Sequence, residues 1–174
     1  MSKSANDSEP PPVDLEQTGS ELSVMAAQTP RPRPCSVAAA LRIVGERWSL
    51  LAIRELSYGV HRFDQITGFT GAPRDILTDR LRKLEAAGVV ERRQYCERPP
   101  RFEYHLTTAG EELRPVLLGL NQWGAKWAQE QPTATFVHEC GHELAANYVC
   151  RHCDEPITQP SLRVLPPPPP PPRP

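Results

Sequence analysis

Proline is the residue that most limits this chain, because its locked φ and missing N–H exclude it from helix interiors and central strands. The 174 residues include 21 prolines, and these gather at the two ends. Residues 1–34 hold six, residues 131–174 hold eleven, and the 96 residues between hold four. One folded domain over 35–130 is therefore expected, since ninety-odd residues bury one core and not two. Residues 1–34 carry three bases, five acids and few large apolar groups, and are expected to form a disordered leader. Residues 131–160 are expected as a separate Cys/His-rich segment. The run 166–172 reads as a stiff polyproline II rod within a tail over 161–174, either a ligand for a proline-recognising domain or plain low-complexity chain.

No window approaches the ~18 apolar residues of a membrane span, because Arg42, Arg47 and Arg54 interrupt the most apolar region. The opening Met-Ser-Lys-Ser-Ala-Asn-Asp-Ser lacks the apolar centre of a secretory signal, so a cytoplasmic protein without membrane association is expected. The formal net charge of -1 conceals a local excess, for residues 62–101 carry nine bases against six acids. Five cysteines, an odd number in a chain with no export signal, argue for free thiols or metal ligands rather than a disulfide framework.

Inside the central region the apolar spacing is helical. Val37, Ala38, Leu41 and Val44 predict a first helix ended by Gly45. A second, over 46–57, carries Trp48, Leu50, Leu51, Ile53 and Leu56 and should be the most buried. A short segment over 62–66 places Phe63 and Ile66 inward, and 70–73 form a turn with Pro73 suited to open a helix. The helix over 73–87 has Leu77, Leu81 and Leu84 on one side, and Gly88 supplies its left-handed cap. Residues 89–95 read as a strand, 96–101 as a tip, and 102–106 as a returning strand that alternates with period two. Thr108 with Glu111 forms a capping box for another helix, which Pro115 should kink.

Helices followed by a hairpin with a basic tip give the order of a winged helix-turn-helix: mainly α, with a small β-hairpin wing. A helix fits the major groove, where polar side chains reach base edges, and a basic hairpin beside it can hold phosphates. Arg74, Asp75, Thr78, Asp79, Arg82 and Lys83 are the expected groove-facing residues, and Arg62, Arg93, Arg98 and Arg101 the expected phosphate contacts. The expected partner is double-stranded DNA. The alternative is a winged helix that binds protein, with the Cys/His-rich segment and the polyproline run as docking points.

The stretch CSVAAALRIVGERWSLLAIREL over 35–56 resembles the opening of HxlR-type transcriptional regulators. So do Arg62-Phe63, the run LTDRLRKLEAAGVV over 77–90, and YHLTTAG over 104–110 followed by Leu113, Pro115 and Trp123. The resemblance covers about 35–130 and implies a homodimeric winged-helix regulator, its dimer built from first and last helices, acting on a palindromic operator. Leu113, Leu117, Leu120, Trp123 and Trp127 supply an apolar stripe for that contact. Ala72-Pro73-Arg74-Asp75 departs from the family's usual turn before the recognition helix. Cys35, at the start of the first helix, matches the cysteine with which some members sense oxidants or electrophiles; a small buried apolar role is the alternative. The effector is not named by the sequence.

His138, Cys140, His142, Cys150 and Cys153 are candidate metal ligands. Cys150-x-x-Cys153 has knuckle spacing, and Cys140 with His138 or His142 could complete a tetrahedral zinc site. Free thiols in an irregular segment are the alternative. His138-Glu139-Cys140-Gly141-His142 also spells a metalloprotease pattern, but that chemistry needs two histidines one helical turn apart and an open coordination position. Gly141 inside the motif and the nearby cysteines oppose both, and no enzyme is expected.

Overall fold

Residue 34 opens the part of the chain that the computed structural model describes; the described residues are 34–128, 135–158 and 162. The expected leader, apart from residue 34, and the polyproline run lie outside them. Described residues of Cys35–Tyr148 form one compact unit, and those from Val149 onward belong to a second. The first contains α1 (Ser36–Val44), α2 (Arg47–Ser57), α3 (Phe63–Thr70), α4 (Arg74–Ala86), β1 (Val90–Glu97), β2 (Pro100–Leu106), α5 (Thr108–Glu111) and α6 (Arg114–Trp127).

The core forms where apolar spacing turns one side of each helix inward. Ala52 and Ile53 of α2, Ile66 of α3, and Leu77, Leu81 and Leu84 of α4 are fully buried, with Val89 and Val90 below them. Each such leucine contributes roughly 1.5–3 kcal/mol relative to an exposed one, so α4 is fixed mainly by its three leucines. As expected, α2 lies at the centre, and it buries Ser49 and Glu55 as well. Glu55 is held there by Arg54, whose Nη2 donates to its carboxylate at 2.5 Å.

Several boundaries depart from the sequence expectations. The segment expected over 62–66 continues as a helix to Thr70 and ends at a left-handed Gly71. Pro73 stands just before α4, not inside it. The hairpin is longer and tighter than expected: Cys96 pairs with Arg101 and Glu97 with Pro100, so the tip shrinks to Arg98-Pro99. A proline is tolerated as the first residue of an edge strand, the place Pro100 takes in this two-stranded sheet. A bulge lies between Gln94 and Cys96, and β2 does not alternate in burial, being half-buried from Phe102 through Leu106.

The cap of α5 is Thr107, not Thr108. Thr107 Oγ1 accepts from the Gly110 N–H and donates to the carbonyl of Gly88 at 2.5 Å. Gly88 has φ +70°, which only glycine adopts freely, and a Cβ on Gly110 would stand 2.3 Å from the Val89 carbonyl oxygen. These contacts seat the start of α5 against the strand entry. Pro115 does not kink a continuous helix; α5 ends at Glu111 and Pro115 lies in the first turn of α6, where its missing N–H costs nothing.

The first and last helices of the unit leave apolar groups outside the core. On α1 only Val44 is buried, and Val37 and Leu41 are exposed. Leu113, just before α6, and Leu117 on it pack against the core, whereas Trp123 and Trp127 are 61% and 66% exposed. No helix among the described residues is long and apolar enough to cross a membrane.

Candidate nucleic-acid interface

With Leu77, Leu81 and Leu84 turned inward, α4 presents Arg74, Asp75, Asp79, Arg82 and Lys83 to solvent, with Thr78 half-exposed. Its thirteen residues span roughly 20 Å at 1.5 Å per residue, which suits a major groove about 12 Å wide. The side chains on this face are not equally available. Arg74 donates to Asp64 at 2.7 Å and stacks over Phe63 at 4.9 Å. Thr78 Oγ1 donates to the Arg74 carbonyl at 2.7 Å. Lys83 lies 2.9 Å from Asp79, and its hydrogen bond holds that carboxyl below its ordinary range. Asp75 and Arg82 make no hydrogen bond or ion pair among the described residues, so they are the members of this face with unspent polar capacity.

Arg80, on the same helix, turns away from this face. Its guanidinium lies 3.8 Å from Glu46 and 3.7 Å from Asp79, and its Nε is buried without a hydrogen-bond partner among the described residues.

The wing carries the remaining cations. Arg98 and Arg101 are exposed at its end, Arg98 in the turn and Arg101 in the ladder. Arg93 is paired with Glu91 on the same strand. Arg92, not anticipated from the sequence, lies with its guanidinium 3.5 Å above the Phe102 ring. Only the three-dimensional register of β1 against β2 brings those two together. Arg62 sits at the entry to α3, 3.2 Å from Glu103 and 5.1 Å above Tyr95.

A second group, also not legible in the sequence, fastens the wing to the helices. The Tyr104 N–H donates to the His61 carbonyl at 2.9 Å, and His61 Nδ1 lies 2.9 Å from the Tyr104 carbonyl oxygen. That oxygen can only accept, so Nδ1 carries the proton. The His61 and His105 rings stack with centroids 4.1 Å apart. Burial pushes the His105 imidazole below its ordinary value, helped by His61 and Arg93 and opposed by Glu103. Residues 61 and 62 thus act as a short extension of the wing sheet.

The cysteines fall in different settings. Cys35 is exposed and is the N-cap residue of α1, without a side-chain capping bond. Cys96 is half-buried in the wing, its sulfur 3.7 Å from the Arg98 carbonyl oxygen. His138 to His142 form a tight turn, with the His138 N–H donating to the His142 carbonyl at 2.9 Å between bridged Val137 and Glu143. This is not a helix, so the histidine pair lacks the one-turn spacing the peptidase pattern requires. In the second unit, Val149 and Pro156 bridge a turn containing Cys150 and Cys153. Backbone hydrogen bonds from His152 and Cys153 hold the Cys150 thiol below its ordinary value. Among the described residues no group of three or more His, Cys, Asp or Glu side chains is gathered to hold a metal ion.

Three helices, a recognition helix with an open polar face and a basic hairpin bonded to the turn before α3 define a winged helix-turn-helix DNA-binding protein. Residues 43–132 match the family model described as HxlR-like helix-turn-helix, and the chain belongs to that family. An uncharacterised HTH-type transcriptional regulator of Mycobacterium tuberculosis H37Rv is 41% identical over 126 residues, covering 71% of this chain and 80% of the relative. One of Synechocystis is 37% identical over 98 residues, covering 56% and 73%. Among solved structures, PA1607, described as a candidate transcription factor, is 30% identical with a TM-score of 0.67 over 75% of this chain and 93% of its own. The redox regulator HypR in its oxidised form is 31% identical with a TM-score of 0.51, over 55% and 99%. The chain is a DNA-binding transcriptional regulator, not an enzyme.

Proposed function

We propose that this regulator acts in the cytoplasm as a homodimer on a palindromic operator, reading bases with α4 and holding phosphates with Arg62 and the wing. The observation that carries the division of labour is the state of the side chains: Arg82 and Asp75 have no hydrogen bond or ion pair among the described residues, while Arg98 and Arg101 stand exposed at the wing end. Arg74, Thr78, Asp79 and Lys83 complete the groove face, and Arg93 the phosphate contacts, by exchanging present partners for DNA. The exposed apolar residues of α1 and α6 support a two-fold contact, which sets recognition helices about 34 Å apart on one side of the duplex. The test is a mobility shift on the fragment upstream of the chain's own gene at ~150 mM salt, a condition that suppresses non-specific phosphate binding. Competition by unlabelled fragment but not by random DNA is expected; equal competition refutes sequence-specific reading.

Cys35 is proposed as the site of a thiol signal. Its exposure at the first helix supports this, as does likeness to a protein described as a redox regulator in its oxidised form. Diamide should release the wild-type chain from DNA and leave Cys35→Ser bound. Zinc is proposed at the Cys150/Cys153 turn, whose backbone N–H groups face the Cys150 sulfur. The inclusion of His138, Cys140 and His142 stands on sequence spacing alone. Metal analysis of the purified chain should find zinc that Cys150→Ser loses, and equal content in both refutes the assignment.

A further inference from the structure

Between α2 and α6 lies a cleft of about 790 Å³ that the DNA-binding reading does not use. Its size falls within the roughly 300–1,000 Å³ of small-molecule sites. Arg47 and Arg54 reach it from one side of α2 and Arg114 from the start of α6, and among the described residues no acidic one lines it. Leu50, Leu51 and Leu117 supply its apolar wall. Two of the guanidiniums are already balanced, Arg54 by Glu55 and Arg114 by Glu111. Arg47 has no carboxylate partner among the described residues and stacks over Trp48 at 4.4 Å. Tyr58 also faces the cleft, and burial pushes its hydroxyl above the ordinary value, so it stays a neutral donor.

We propose that this cleft binds an amphipathic organic anion, a carboxylate or sulfonate on an apolar body, with the anion at Arg47, Arg54 and Arg114 and the body against the leucines. A cationic rim over an apolar wall selects that class, because the anion alone is better hydrated in bulk water and the apolar body alone leaves Arg47 without a counter-charge. A second copy of the chain is the poorer occupant on charge. The exposed helices it would offer, α1 and α6, contain Arg42, Arg114 and Lys126 and no acid. The cleft also uses a different side of α6. Arg114, Leu117, Leu118 and Asn121 lie roughly 140° around the helix from Val116, Trp123 and Trp127 at 3.6 residues per turn, with Leu120 at the edge of both.

The test is a fluorescence titration of the full chain with 8-anilinonaphthalene-1-sulfonate, and with neutral N-phenyl-1-naphthylamine as the uncharged counterpart. Saturable binding of one anion per chain is expected. The double variant Arg47→Gln/Arg114→Gln should weaken the anionic dye at least tenfold and leave the neutral dye within twofold. Arg42→Gln/Lys126→Gln, which removes two cations away from the cleft, should leave both dyes within twofold. Equal affinity of the anionic dye for the wild type and the cleft variant overturns the proposal, as does equal loss in the two double variants. Dye affinity that falls as the protein self-associates overturns it too, and gives the cleft to a second copy. Circular dichroism melts check folding, and Arg47→Gln alone, with at least threefold loss, serves if the double variant does not fold. Operator binding is measured without dye, so failure of either reading leaves the other standing.

Discussion

Replacing Arg82 and replacing Arg98 should damage DNA binding in different ways. Arg82 is an exposed cation on α4 with no hydrogen bond or ion pair among the described residues, while its neighbours Lys83 and Arg80 are engaged by Asp79 and Glu46. Removing a bidentate contact to a base costs about 1–3 kcal/mol of discrimination, or roughly 5- to 150-fold at one position of each half-site. Arg98 sits in the turn at the wing end, where the proposed phosphate contact would form whatever the sequence. Losing one phosphate contact lowers the slope of log K against log salt by about 0.9, and two wings per dimer give about 1.8. Between about 50 and 200 mM salt the wild type should therefore lose roughly 12-fold more affinity than Arg98→Ala. Fluorescence anisotropy on labelled operator and on scrambled duplex, at four salt concentrations, reads both quantities. Arg82→Ala should lose affinity for operator, keep its affinity for scrambled DNA, and bind more evenly at one base pair. Equal losses by both variants on both duplexes would refute the assignment of α4 to bases and the wing to phosphates.

Three further outcomes follow from the fold. Thr107→Val removes the α5 cap and the bond to Gly88, and should cost about 1–2 kcal/mol, seen as a lower urea midpoint with unchanged slope; Thr108→Val should cost under about 0.5 kcal/mol. His105 has its folded value below the ordinary 6.5, so its unfolded form binds protons first; the stability it contributes is present above that value and lost as pH falls below it. His105→Gln should flatten the fall in urea midpoint between about pH 7.5 and 5.5, and an unchanged profile refutes the link. Trp123→Lys places a charge on the exposed apolar side of α6 and should convert a dimer to a monomer in light scattering while the thermal midpoint of the monomer moves little; an unchanged mass excludes this face.

The elements were legible where one local rule governed them. Leu77, Leu81 and Leu84 at helical spacing, closed by Gly88, marked the recognition helix to within a residue, because burial and cap agree there. Reading failed where a distant contact decided between neighbours. Thr107 and Thr108 are equivalent by spacing, and the capping box favours the second. The first caps α5 because its own N–H is bonded to the Val89 carbonyl, which brings its hydroxyl to Gly88. Pro99-Pro100 reads as a wide loop, yet Pro100 begins β2, paired with Glu97. The solvent-facing residues of α4 followed from the leucine pattern. Their individual availability did not, because Asp64 reaches Arg74 from another helix. The Arg92–Phe102 stack and the His61–His105 pair depend on strand register and left no trace in composition.

The bonds that join Tyr104 to His61 also fix when the wing loses its freedom. A hairpin tethered only at its ends would be ordered by the operator, and each encounter would carry that entropic cost. Here the cost is met once, during folding, so helix and wing arrive at the duplex as a single rigid template. Their spacing then acts as a ruler: a duplex whose groove width or local bend misaligns the phosphates from the bases cannot satisfy both elements at once. Discrimination by DNA shape, at base pairs no side chain touches, is the outcome expected of that rigidity.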